Sequence, residues 1–479
     1  SLRGFAFVEQ SFFPPSTRAQ LMVDLWLPQG THIDATTERV AEVEGLLGEM
    51  ASVTHVTSLV GKGALRFLLT YAPEKTNSAY AQLLVDVDGA DAIDPLIATI
   101  ESQLAARYPD MVAYAQKFQL GPGTAGKVRA RVSGPDPDAL RAYADRIAAI
   151  VEADPDAKYV RTDWRERVKR LDPVVAEEAA NRNDIQPADI AAAILATFEG
   201  ASVGVYRDGD LLLPIILRAA ADERAAVDAI SNVQIWSPAA GRSIPLTQVV
   251  NEVAIAFENE IIVRRDRKRT ITVISDPRDG PASELHARVQ AAVEAIELAD
   301  GYVLEWGGEY EDSRNAQGPL LASIPFFVVL MVLILVALFD SVRLPVVIFL
   351  CVPLALIGVT AGLLATGQPF GFMALLGFLS LIGMLIKNAV VLIDEINLQR
   401  SLGHPPLQAI LDSGVSRLRP VAMAASTTAL GMIPLLTDAF FVAMAVTIIG
   451  GLVFATVLTM VVVPVLYAIF FRVPAEADA

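Results

Sequence analysis

The sequence has few of the side chains that build disulfides, zinc sites or catalytic histidine centres. Its 479 residues include one cysteine, Cys351, and four histidines. Cys351 lies inside an apolar run, so no disulfide can form within the chain. The histidines stand far apart without ligand spacing, which argues against a zinc site or a catalytic histidine. The sequence therefore predicts neither a metal site nor a catalytic residue.

A phosphate-binding loop of the form G-x-x-x-x-G-K-[ST] is also missing. The nearest stretch, GKGALR at residues 61–66, lacks the second glycine at the required position and the hydroxyl. We therefore expect no bound ATP and no cofactor. The net charge of −16 argues against nucleic acid as a partner.

Long apolar runs fill the last third of the chain, and they account for a mean hydropathy of +0.45. Each is close to the roughly 20 residues that cross a bilayer. The sequence therefore predicts a bundle of five transmembrane helices between residues 318 and 472. The expected helices are residues 320–338, 346–365, 372–393, 421–436 and 442–471.

The basic residues between these runs predict an orientation by the positive-inside rule. The links on one side hold Arg343, Arg400, Arg417, Arg419 and Arg472, whereas those on the other side hold neither Lys nor Arg. We therefore expect a cytoplasmic C-terminus and a large N-terminal portion outside the membrane, which is the periplasm in a Gram-negative bacterium. Because the chain begins without Met or a signal-peptide pattern, we expect it to be a piece of a longer polypeptide.

The N-terminal portion alternates strand and helix patterns and predicts an α+β fold. Its element order is β-α-β-β-α-β, the split βαβ or ferredoxin-like unit. A second such unit starts after GPGTAG and is interrupted by about a hundred residues. We expect one subdomain over residues 1–125, a second over 126–167 and 270–312, and an inserted domain over 168–269. The strands expected in the first unit are residues 19–27, 66–71, 82–87 and 111–118.

One lysine stands in the middle of the third apolar run. Lys387 lies about 15 Å from either end of GFLSLIGMLIKNAVVLIDEIN, too far for the ammonium to reach the membrane surface easily. An ion there costs at least about 2.5 kcal/mol on insertion scales, so it needs a partner or a function. Asp394 is on the same helix face, but about 10 Å along the axis. We therefore expect the partner carboxylate to lie outside this chain.

The fourth apolar run carries hydroxyl side chains at mid-depth and begins with two arginines. The hydroxyls of Ser426, Thr427 and Thr428 are candidates for polar contacts, although bonds to their own helix are equally expected. By spacing alone, Arg417 and Arg419 mark a cytoplasmic rim more readily than a relay.

Several stretches resemble the resistance-nodulation-division (RND) efflux pumps, in particular the hydrophobe/amphiphile or AcrB-type branch. They are LVALFDSVRLPVVIFLCVPLALIGV, GMLIKNAVVLIDEIN, SRLRPVAMAASTTALGMIPL, IPLTQVV and RRDRKRTITV. The resemblance covers essentially the whole chain and corresponds to the C-terminal half of such a pump. It implies two porter subdomains, an inserted docking domain and the last five of twelve membrane helices.

The resemblance implies a proton antiporter of the bacterial inner membrane that exports amphiphilic compounds and is not an enzyme. It also implies a homotrimer that works with a periplasmic adaptor and an outer-membrane channel. The family's relay lysine and arginine match Lys387 and Arg417, with Asn388 beside the lysine. The family hydroxyl falls on Ala424 here, so Ser426 or Thr427 would substitute.

The region of the drug pocket differs from the well-known pumps and reads LVGKGALRFLLTY. Phe67, Tyr71 and Tyr80 are its substrate-binding candidates, although core packing is at least as expected for each. Metal-ion export ranks second, because the outer portion holds only Met22, Met50 and Met111 for a methionine relay. A membrane-anchored assembly or binding module without transport is the third alternative.

Overall fold

A four-stranded antiparallel sheet opens the computed structural model, which describes residues 2–121 and 126–474. The strands lie side by side in the order β2-β3-β1-β4. The elements of this part are α1 (Leu2–Phe5), β1 (Gln20–Trp26), α2 (Ile33–Gly48), β2 (Val53–Val60), β3 (Tyr80–Val87), α3 (Ile93–Arg107) and β4 (Val112–Lys117).

Strand β1 has one fully buried face. Leu21, Val23 and Leu25 alternate along it and pack with the apolar stripes of α2 and α3, including Val43 and Ile100. A period of two in the strand and of about 3.6 in the helices places both sets in one core.

The strand expected at residues 66–71 is wrong. The second strand is β2, whose β-branched residues suit an extended chain and pair with β3. Residues 66–71 form a loop and a turn, from which Leu68 and Tyr71 pack with Met22 and Phe118 in a separate cluster. Phe67 and Leu69 of the same stretch are exposed, so this apolar run belongs to a partly buried loop rather than to a strand.

A second sheet is assembled from two separated parts of the chain. Its strands run in the order β13 (Arg264–Arg265), β14 (Lys268–Pro277), β5 (Val128–Gly134) and β15 (Val303–Gly308). Strand β6 (Ala157–Thr162) also pairs with β14. Trp164 is fully buried beside this sheet and donates from Nε1 to the Thr270 carbonyl over 2.8 Å. The first part holds β5 (Val128–Gly134), α4 (Pro137–Glu152) and β6 (Ala157–Thr162).

Residues 166–260 form a compact unit of their own, with a core that includes Ile190, Ile235 and Leu246. The rest of the chain forms the other unit. The elements of residues 166–260 are β7 (Val168–Val175), α5 (Glu177–Arg182), α6 (Pro187–Phe198), β8 (Ala201–Asp208), β9 (Leu211–Leu217), α7 (Ala221–Arg224), β10 (Gln234–Ser237), β11 (Arg242–Pro245) and β12 (Val250–Glu258). Strand β7 pairs with β12, β8 with β9, and β10 with β11.

The chain then completes the second sheet and enters the first long helix almost without a loop. The elements are β13 (Arg264–Arg265), β14 (Lys268–Pro277), α8 (Ala282–Glu294), β15 (Val303–Gly308) and α9 (Glu309–Phe339). Gly308 links β15 to α9 at a φ of 69°, and a Cβ there would overlap the Lys127 carbonyl. Only glycine fits this junction without strain.

Five helices are long and apolar enough to cross a membrane in the part of the chain that the structure describes, as the sequence predicted. After α9 they are α10 (Arg343–Cys351) with α11 (Ala355–Thr366) as one span, α12 (Phe372–Ser401), α13 (Pro406–Met432) with a short turn to Thr437, and α14 (Val442–Phe470). Helix α13 begins at Pro406 and passes through Pro420, so it starts well before the expected residue 421.

Helices α11 and α14 meet through glycines. A Cβ on Gly358 would overlap the Gly450 carbonyl and lie 2.7 Å from the Phe454 Cβ. A Cβ on Gly362 would lie 3.4 Å from the Gly450 Cα. Small residues at such a crossing let two backbones approach closely.

Candidate relay and outer cleft, and the family of the chain

Lys387 lies on the outward face of α12. Its neighbours Leu385, Ile386 and Ala389 are buried in the bundle, whereas Lys387 is exposed. Among the described residues, none forms an ion pair with its ammonium. Asp394 is exposed on the same face, two helical turns further on. The lysine is therefore available to an anionic group that is not among these residues.

Arg417 has a carboxylate partner that the sequence analysis missed. Its Nε donates to Oε2 of Glu395 on α12 over 3.1 Å, and a second guanidinium nitrogen reaches the same oxygen. Gln399, one turn further along α12, donates to the other oxygen of Glu395 over 2.8 Å. Glu395 is only 7% exposed. The Arg417–Glu395 pair joins α12 to α13. In the sequence, only the four-residue spacing of Glu395 and Gln399 indicated a hydrogen bond to this carboxylate.

The other predicted relay residues are not bonded to Lys387 or Arg417 within the described chain. The Thr427 hydroxyl donates to the Ala424 carbonyl of its own helix over 3.0 Å. Ser426 is exposed, and Asn388 is half-buried beside Lys387. Back-bonding of this kind satisfies a hydroxyl in an apolar surrounding.

A second polar network ties α12 to α14 near their C-terminal ends. Tyr467 is fully buried, and its hydroxyl donates to the Asn397 side chain and accepts from Arg400, each over 2.9 Å. Tyr467 therefore joins α14 to α12 at positions two and five residues beyond Glu395. Both networks are candidates for positioning the helix that carries Lys387.

The predicted pocket residues lie at the polar face of the first sheet, with Tyr80 on β3 and the other two on the loop before it. Tyr71 donates to Gln82 over 2.8 Å, and Tyr80 donates to Asp24 over 2.6 Å. Both tyrosines are buried and line a cavity of about 490 Å³, whereas Phe67 is 41% exposed and packs on Tyr71 and Phe118. The structure thus brings the two tyrosines to one cavity and leaves Phe67 beside it.

Asp24 is the acidic centre of this cavity, which we call the outer cleft. Its carboxylate also accepts from Gln82 over 2.8 Å and from Gln116 over 3.2 Å. Burial raises the pKa of the Asp24 carboxyl, although hydrogen bonds from Tyr80 and the two glutamines oppose the shift. Asp24 was not among the predicted site residues, because in the sequence it is an ordinary polar position of an alternating strand.

Four arginines line the outer cleft as well. Arg165 lies over the Trp26 ring, 4.7 Å from its centroid, and Arg131 pairs with Glu311. The full set is Arg129, Arg131, Arg161 and Arg165. No group of three or more His, Cys, Asp or Glu side chains suited to a metal ion occurs among the residues described. Glu74 and Asp163 also line the cleft, which therefore presents guanidinium groups beside three carboxylates, of which Asp24 is satisfied by neutral donors.

A match to the AcrB/AcrD/AcrF family extends over residues 1–471. The chain belongs to this family of RND transporters. Family membership and the five apolar helices indicate an inner-membrane protein.

Among curated proteins, the chain is similar to the cobalt-zinc-cadmium resistance protein CzcA of Cupriavidus metallidurans. The two are 24% identical over 98% of this chain and 45% of CzcA. The nickel and cobalt resistance protein CnrA of the same organism is 27% identical over 98% of this chain and 45% of CnrA. The swarming motility protein SwrC of Bacillus subtilis is 26% identical over 68% of this chain and 31% of SwrC.

The fold is similar to a solved structure of a heavy metal efflux pump. The TM-score is 0.83 at 23% identity, over 98% of this chain and 49% of that one. The chain thus spans about half the length of the relatives that it matches.

Proposed function

We propose that this chain is part of a proton-coupled RND exporter in which Lys387 carries the fixed positive charge of the relay. The observation that carries the proposal is an exposed ammonium at mid-span with no ion-pair partner among the described residues. Such a charge in a membrane span marks a functional site by default. Carboxylates outside this sequence would bind it when ionised and release it when protonated, so that proton entry changes the packing of α12.

Arg417 would be the second basic group of the relay. Its bond to Glu395 fixes the guanidinium against α12, so a change in the position of α12 would move both cations together. Asn388 would be a polar neighbour of Lys387. Ser426 or Thr427 would replace the family hydroxyl that falls on Ala424, and Thr427 would exchange its bond to the Ala424 carbonyl for one with the relay.

We further propose that the outer portion consists of two porter subdomains and a docking domain. The strand order β4-β1-β3-β2 in the first sheet supports a ferredoxin-like unit over residues 1–125. The second sheet, with strands from residues 126–167 and 270–312, supports a second and split unit. The compact unit Glu166–Glu260 supports the insertion, although it ends earlier than the predicted residue 269.

For the cargo, we propose divalent metal ions first. The sequence ranked amphiphilic compounds first, but CzcA and CnrA carry cobalt, zinc, cadmium and nickel resistance in their names. These names, together with the heavy metal efflux pump among similar folds, reverse that order. Among the relatives reported above, none has a multidrug cargo in its name.

The lining of the outer cleft favours a second candidate, the amphiphilic or anionic organic compound. The lining holds six basic and three acidic side chains, which disfavours a divalent cation, and the described residues hold no metal-ligand cluster. Tyr71, Tyr80 and Trp26 offer aromatic surface beside the arginines. Such a mixture suits a partly apolar organic molecule with a negative charge.

The remaining expectations stay proposals. We propose a homotrimer with a periplasmic adaptor and an outer-membrane channel, as the resemblance implies. The orientation with the C-terminus in the cytoplasm and the outer portion in the periplasm rests on the arginines at the ends of the spans.

The test is transport by the intact protein that contains this chain, reconstituted in vesicles with a proton gradient. Lys387→Ala should abolish gradient-driven export while abundance and oligomeric state persist, and Lys62→Ala, which changes an exposed lysine, should leave export unchanged. Zinc, cobalt and an anionic dye would be offered separately to identify the cargo. Export by Lys387→Ala at the wild-type rate would overturn the relay, and no export of any compound by the wild type would favour a binding module.

A further inference from the structure

A cavity of about 700 Å³ lies where α9 leaves the second sheet. Its walls come from residues 10–12, the start of α8, the first turns of α9 and Phe370. It is separate from the outer cleft and from the relay helices around Lys387. The cavity is close to the start of the apolar part of α9. In the proposed orientation it would lie at the periplasmic surface of the inner membrane.

Two cations and one carboxylate line the cavity, and none of the three forms a salt bridge among the described residues. Lys127 and Arg314 line it, and neither forms an ion pair within the described chain. Glu309 accepts the Phe12 backbone N–H over 3.1 Å and has no ion pair among the same residues. Lys127 and Glu309 are neighbours, since the Glu309 backbone N–H donates to the Lys127 carbonyl over 2.8 Å, and their charges attract each other. A ligand with both charges would place its anionic group at Arg314 and Lys127 and its cationic group at Glu309.

The membrane side of the cavity is apolar. Leu321 and Phe370 line it there, and the helix continues below with exposed Phe326, Val329 and Leu333. A ligand that fills both regions needs a charged head and a long apolar tail.

His286 gives the cavity a rigid side wall. The imidazole is stacked on Tyr310 at 4.6 Å between ring centroids and meets the edge of Trp306 at 4.4 Å. It is 7% exposed, and its Nε2 has no hydrogen-bond partner among the described residues. Because a buried imidazole is neutral, the polarity of the site depends on Lys127, Arg314 and Glu309.

We propose that this cavity binds the phosphoethanolamine headgroup of a membrane phospholipid. The phosphate contacts Lys127 and Arg314, the ammonium donates to Glu309, and the acyl chains lie along the exposed face of α9. The ammonium carries N–H donors, which a choline headgroup lacks, and a glycerol headgroup carries no positive charge for Glu309. The site does not depend on the cargo of the exporter.

The same headgroup chemistry exists in soluble phosphoethanolamine, but the apolar continuation favours the lipid. Burying acyl carbons against α9 adds about 0.8 kcal/mol per CH₂ group, which a free headgroup cannot gain. A soluble phosphate ester would hold only the polar half of the site.

The experiment uses the intact protein in nanodiscs of phosphatidylethanolamine, phosphatidylcholine and phosphatidylglycerol in equal parts. After mild detergent washing, the lipid that stays with the protein is counted by mass spectrometry. We expect retention of phosphatidylethanolamine, with a loss of about tenfold for Lys127→Ala and for Arg314→Ala, the effect of one lost charged hydrogen bond. Glu309→Gln should remove the preference over phosphatidylglycerol while keeping the fold.

The matched control is Arg343→Ala, which removes an exposed arginine at the start of α10 without touching the cavity. It should retain the lipid as the wild type does. Equal retention of the three lipids by the wild type, or unchanged retention in both Lys127→Ala and Arg314→Ala, would overturn the proposal. Displacement of the lipid by millimolar soluble phosphoethanolamine or inorganic phosphate would assign the site to a soluble phosphate compound instead.

Discussion

Arg417 of α13 donates from Nε to the Oε2 atom of Glu395 on α12 over 3.1 Å, within a membrane-spanning bundle. The carboxylate is buried, and Gln399 occupies its second oxygen. Arg417, the proposed second basic group of the relay, thus has an internal counter-charge, whereas Lys387 on α12 has none among the described residues. The two cations are therefore not equivalent: one is fixed within the chain, and the other is free to respond to a group outside it.

Replacing Glu395 by alanine should destabilise the contact between α12 and α13. Arg417 would lose its carboxylate, at a cost of about 1 to 2 kcal/mol in the free energy of unfolding. This is the lower part of the range for charged hydrogen bonds, because the guanidinium is partly exposed. The thermal unfolding midpoint of the protein in detergent measures the effect. Asp394→Ala changes the exposed neighbour and should have little effect, so equal shifts in the two variants would contradict the role of Glu395.

Gly358→Ala should weaken the crossing of α11 and α14. The new Cβ would overlap the Gly450 carbonyl, and such overpacking costs about 1 to 3 kcal/mol. Gly383→Ala is the control, because its Cβ would meet no atom within 4 Å. The control should be neutral or stabilising by up to about 1 kcal/mol, since alanine favours a helix over glycine. A lower midpoint for Gly383→Ala than for Gly358→Ala would refute the packing argument.

His286 should make the protein less stable in mild acid. Burial lowers the pKa of the imidazole below its ordinary value of 6.5, although Glu294 opposes this. The unfolded chain therefore binds the proton more readily below about pH 6.5, and the free energy of unfolding falls as the pH falls through that region. The thermal midpoint should decrease between pH 7 and pH 5.

The variant His286→Phe should reduce that pH dependence while filling a similar space between Tyr310 and Trp306. His55→Gln changes an exposed histidine on β2 and should keep the wild-type slope. If His286→Phe and the wild type show the same slope, another group is responsible for the acid sensitivity.

Asp24→Asn should stabilise the protein at neutral pH. Burial raises the pKa of the Asp24 carboxyl above its ordinary value of 3.8, so the stability that its protonated form gives is lost as the pH rises. Asparagine imitates the protonated form, and the midpoint should exceed that of the wild type at pH 8 by more than at pH 4. Asp88→Asn, at an exposed position after β3, is the control. A lower midpoint for Asp24→Asn at pH 8 would disprove the prediction.

The sequence was sufficient for the parts of the fold that depend on periodicity. Lengths of apolar runs predicted the five long helices, and alternation along residues 19–27 predicted β1. It failed at residues 66–71, because an apolar run in a partly buried loop has the same composition as a strand. It also missed the start of α13 at Pro406, because the first turns of that helix are amphipathic rather than uniformly apolar.

The candidate sites were predicted less completely, because they depend on contacts between distant residues. Lys387 was evident as a charge in an apolar run. Glu395 was not, since its partner Arg417 lies on another helix and only the fold brings them together. Asp24 was overlooked for the same reason: its donors Tyr80 and Gln116 come from neighbouring strands.

The single-residue junction at Gly308 has a mechanical consequence. An axial displacement of α9 by even one residue, about 1.5 Å, finds no slack between the helix and β15. Either the edge strand slides along β5 and breaks its hydrogen bonds, or the whole second sheet is carried along. Breaking several hydrogen bonds between β15 and β5 at once costs more free energy than moving the sheet as a whole. An axial displacement of α9 would therefore tilt the second sheet.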